Sequence, residues 1–163
     1  MREIIFRGKR KDTGELVYGD LCHSGKEHIH IVPFDAESED NAFEVFPETV
    51  GQYTGLQANG VKIFEGDIIR VFYFGMGLGE NLGVFETEEE ITGVIEYGDL
   101  GLLIKKISDK NGKWRTYTGY EQGEGNCEIA YLHDVYEDGC ADYDFEVIGK
   151  IHDNPELLNK EGV

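Results

Sequence analysis

The stretch Gln52–Phe74, QYTGLQANGVKIFEGDIIRVFYF, constrains the fold more than any other part of the chain. Asn59-Gly60 separates Tyr53-Thr54-Gly55-Leu56 from Val61-Lys62-Ile63-Phe64. That pair tolerates the positive φ a tight hairpin turn requires, so two short antiparallel strands are expected around it. Glu65-Gly66-Asp67 then interrupts the pattern, with Gly66 free to adopt a backbone conformation closed to other residues. From Ile68 onward the chain alternates with period two. Ile69, Val71 and Tyr73 share one face, and Ile68, Arg70, Phe72 and Phe74 the other. Both faces are largely apolar, which predicts a strand buried in part on two sides.

The rest of the chain repeats this texture. Twenty-two glycines against three prolines imply many turns between short strands. With 163 residues and 40% hydrophobic side chains the chain can bury a real core. An early hairpin is expected over residues 3–21, turning at Lys11-Asp12-Thr13-Gly14, with Lys9, Arg10 and Lys11 at a solvated tip. Further strands are expected at Phe43–Phe46, Ile91–Tyr97, Leu102–Ile107 and Phe145–Ile151, with an Asn111-Gly112 turn. Glu128–Glu137 carries Ile129, Leu132 and Val135 at helical spacing and predicts a short helix. Asn154-Pro155 reads as an N-cap and first residue of a final helical turn.

Several pieces together resemble the YopX family of phage and prophage proteins. Gln52-Tyr53-Thr54-Gly55-Leu56, Asn59-Gly60 and Phe64-Glu65-Gly66-Asp67-Ile68 are similar to its QYTGL…NG…YEGDI signature. Phe145–Ile151 with Asn154-Pro155-Glu156-Leu157-Leu158 is similar to its closing segment, and Tyr18-Gly19-Asp20-Leu21 to an early step. Lys150 and His152 depart from the usual Asn and Tyr, and Gly75–Glu90 is longer than typical. The resemblance implies an all-β protein containing an SH3-like barrel, and no catalytic residues. The expected organisation is a small N-terminal β subdomain over 1–50, a barrel domain over 51–163, and one or two short helices.

The charge limits the partners. Thirty-three acidic against 15 basic side chains leave −18, which repels phosphate backbones and anionic membranes. A protein partner, basic in character, and self-association are the expected contacts, with neither nucleic acid nor membrane. No stretch approaches 18 apolar residues, and MREIIFRGKRKD is charged too early for a signal peptide. Cys22, Cys127 and Cys140 are odd in number and lack CxxC spacing, consistent with a reducing cytoplasm.

Candidate sites are few. Trp114, Tyr117 and Tyr120 form an aromatic group of the kind protein interfaces favour, and are the expected binding residues. His28 and His30 fall on one strand face with His23 upstream, a pair that binds zinc only if a third ligand arrives. An ordinary half-exposed strand reads the same way, so neither metal nor cofactor is expected. Gly75–Gly83 misses the dinucleotide and P-loop patterns and is expected to be a flexible hairpin connection. Asp138–Asp144 lacks the calcium-loop frame. The function expected is a non-enzymatic protein-binding module. The alternatives are an acidic DNA mimic that occupies a DNA-binding protein, and a metal-dependent hydrolase on the His28/His30 strand.

Overall fold

The computed structural model describes residues 3–25, 28–36, 41–78, 84–98, 101–109, 129–131 and 142–159. It is mostly β, as expected, and divides into two compact units, Met1–Gly66 and Asp67–Val163. The division comes later than the expected 50/51 boundary. The Asn59-Gly60 hairpin pairs backward with the first strand of the chain, so it belongs to the N-terminal sheet.

The N-terminal unit contains β1 (Phe6–Lys9), β2 (Leu16–His23), β3 (Ile29–Pro33), β4 (Phe43–Glu44), β5 (Gly51–Ala58) and β6 (Val61–Phe64). They form one sheet in the order β4-β3-β2-β1-β5-β6. Asn59 and Gly60 take φ of 49° and 81°, the left-handed pair that closes the β5–β6 turn. Alternation gives this sheet apolar groups on both faces. Val17, Ile31 and Val45 are buried on one, with Phe6, Leu21, Ile29, Phe43 and Val50 packed against them. Ile5, Tyr53 and Phe64 are buried on the other. There Arg7 lies 4.8 Å over the Phe64 ring and donates from Nη2 to the Glu65 carbonyl at 3.1 Å.

The basic run differs from the solvated tip expected. Arg10 stacks 3.7 Å over Phe43 and pairs with Asp12, while Lys11 reaches Glu44, so the run fastens the two-residue β4 to the hairpin.

The C-terminal unit contains β7 (Asp67–Leu78), β8 (Val84–Gly98), β9 (Gly101–Asp109), β10 (Ile129–Tyr131) and β11 (Asp142–Lys150). Their order is β10-β9-β8-β7-β11, a meander whose last strand returns beside the first. Ile68, Ile69 and Val71 are buried and Arg70 and Phe72 half-buried, as the two-faced reading of this strand predicts. Ile69, Val71, Ile91, Ile95, Ile104 and Phe145 are buried on one face.

Three expectations change. The glycine-rich stretch is strand through Leu78, because its backbone continues the ladder with β8 as far as the Leu78–Val84 pair. Ile129–Tyr131 pairs with β9 instead of opening a helix, since ladder bonds outweigh a short helical period. Both sheets run edge to edge with no closing pair among the described residues, so the SH3-like barrel is not seen as a closed barrel. Among the described residues, short 3-10 turns stand at Pro47–Thr49 and Pro155–Leu158. Asn154 does not cap the second with its side chain; its Oδ1 accepts from the Lys150 amide at 3.2 Å.

Candidate functional site

The expected binding residues Trp114, Tyr117 and Tyr120 lie outside the described residues, as do Cys127 and Cys140. The motif Gln52–Leu56 with Glu65–Asp67 is described throughout, and each member serves the β5–β6 hairpin or the step after it. Tyr53 packs its ring 5.5 Å from Phe64. The Thr54 hydroxyl donates to the Ile63 carbonyl at 2.9 Å and accepts from the Leu56 amide at 3.1 Å. Gly55, at φ 92°, falls within the register shift between Tyr53 and Gln57, where β5 holds two more residues than β6 and Gly55 supplies the left-handed backbone that accommodates them. The Glu65 amide donates to the Gln52 carbonyl, Gly66 turns at φ 79°, and Asp67 is 1% exposed. A motif this occupied with its own fold leaves little surface for a ligand.

Two clusters remain accessible. The first lies at the β4 edge of the N-terminal sheet, on the face that buries Tyr53 and Phe64 further along. Pairing places Cys22, His30 and Glu44 in one row across β2, β3 and β4. Glu44 Oε1 accepts from Lys11 Nζ at 2.8 Å and from His28 Nδ1 at 2.8 Å. The hydrogen bonds from Lys11 and then His28 hold the Glu44 carboxyl down at about 2. His30 Nδ1 faces Ser24 Oγ at 3.3 Å. Among the described residues no group of three His, Cys, Asp or Glu side chains is placed to share one metal ion.

The second cluster lies on the C-terminal sheet, on the face opposite Ile69 and Val71. Register sets Thr92, Arg70 and Glu146 in one row and Glu90, Phe72 and Asp144 in the next. Arg70 is held between strands: its Nε lies 3.1 Å from Glu90 Oε1, and its Nη1 3.4 Å from Glu146 Oε2. The first contact is a charge pair lacking hydrogen-bond alignment. Asp144 and Glu146 are exposed. Along the same registers Glu88 and Asp142 sit opposite Phe74, and Glu86 opposite Met76. Glu90, Asp144 and Glu146 thus flank a central strand bearing one arginine. Of the formal charge, the C-terminal unit carries 21 acidic and 8 basic side chains, net −13, and the N-terminal unit 12 and 7, net −5. In the sequence, the alternation of acidic residues at 86, 88 and 90 and at 142, 144 and 146 is the signal that points to this patch.

These features define an all-β protein of two antiparallel sheets, the second with an acidic patch on the face that also carries the buried Ile68, Thr92 and Val94. A family model described as YopX protein matches residues 5–159, and the chain belongs to the YopX family. No curated protein and no solved structure matches it. No helix among the described residues is long and apolar enough to cross a membrane, which bears on helices alone.

Proposed function

We propose that this protein is a non-enzymatic binding module whose partner is a basic protein segment, met at the acidic patch of the C-terminal sheet around Glu90, Asp144 and Glu146. The observation that carries this reading is the arrangement of Glu90, Asp144 and Glu146 around Arg70 and Phe72 on one sheet face. Arg70 neutralises one of these charges and leaves an excess of carboxylate for lysine and arginine side chains. Charge complementarity of this kind raises association rates and selects against acidic partners. The half-buried Phe72 adds an apolar contact between Glu90 and Asp144.

Affinity capture from a bacterial lysate tests the reading, with wild type compared against an Asp144→Asn/Glu146→Gln variant. Both positions are exposed, so the variant keeps its fold. Basic proteins retained by wild type and lost by the variant support the proposal. The same proteins retained by both would place the contact elsewhere. If the captured proteins bind DNA and added DNA displaces the module, the acid face acts by occupying a DNA-binding surface.

A further inference from the structure

We draw no further inference here: the strongest candidate, the exposed aromatic patch of Tyr18 and Phe34 beside the β2–β3 ladder of the N-terminal sheet, is an apolar surface with nothing in the structure to show what covers it.

Discussion

Gly19→Ala is expected to be the most damaging single-methyl change in the N-terminal unit. Gly19 faces Phe6 on one side and Pro33 on the other, at the inner end of the β2–β3 ladder. A Cβ there would overlap the Val32 carbonyl oxygen and fall 2.6 Å from the Val32 carbonyl carbon and 2.9 Å from Pro33 Cα. All three atoms are backbone, so no side-chain rotation relieves the clash, and β3 must move away from β2. Overpacking costs typically 1–3 kcal/mol, and a backbone clash belongs at the upper end, about 3 kcal/mol. For a cooperative unit of this size that loss lowers the melting temperature by roughly 12–24 °C. Gly14→Ala is the control. Gly14 has φ of 73° with nothing within 4 Å of the added Cβ, so it bears only backbone strain, about 1–2 kcal/mol. Thermal melting followed by far-UV circular dichroism reads both. If Gly19→Ala melts like wild type, or costs less than Gly14→Ala, the close approach of β3 is not what requires glycine in the Tyr18–Leu21 step.

Three further outcomes are expected. Ile63→Ala removes a fully buried side chain and should cost about 2–5 kcal/mol in denaturant unfolding, whereas Val61→Ala, 55% exposed on the same strand, should stay within about 0.5 kcal/mol; equal effects would contradict the burial of this hairpin. Because the folded Glu44 carboxyl sits lower than in the unfolded chain, its contribution to stability is present above the ordinary carboxylate range. That contribution is lost as pH falls from 4.5 through about 2. A carboxyl resonance of Glu44 should therefore titrate near the lower value, and Glu44→Gln should flatten this part of the pH–stability curve; a midpoint at the ordinary value would remove the Lys11–Glu44–His28 contact from solution. Gel shifts with DNA or RNA at physiological salt should show no retention, since the chain carries a net charge of −18 and Arg10, Lys11, Lys62 and Arg70 already pair with carboxylates; salt-dependent retention would refute this.

What was legible in the sequence was local. Asn59-Gly60 announces its own turn, and the alternation from Ile68 to Phe74 announces a strand with two apolar faces. What was not legible depends on register between distant segments. Nothing near Arg10 says that Phe43 will lie under its guanidinium, and nothing near His30 says that Cys22 and Glu44 will flank it. Those neighbours follow from the order β4-β3-β2, which only the folded sheet supplies. The division at Gly66–Asp67 escaped for the same reason, because β5 reads as a continuation toward β7 until its pairing with β1 is known. The helical spacing at Ile129 was a real period overridden by a long-range ladder. The acidic face was half visible: its carboxylates alternate in sequence, while their meeting across β7 needed the β11–β7–β8 register.

The central claim, that the acidic face of the C-terminal sheet binds a basic segment, is tested most directly by titrating the purified chain against a fluorescent peptide rich in lysine and arginine. A peptide of equal length and zero net charge serves as the reference, with anisotropy read at low and at high salt. The wild-type chain should bind the basic peptide in preference to the neutral one, with affinity falling as salt rises. Asp144→Lys with Glu146→Lys should abolish that preference, while the same reversal at Asp12 and Glu15, on the N-terminal unit, leaves it intact. Equal loss from both reversals would mean that net charge alone attracts the peptide. Undiminished binding by the Asp144/Glu146 variant would contradict the claim outright.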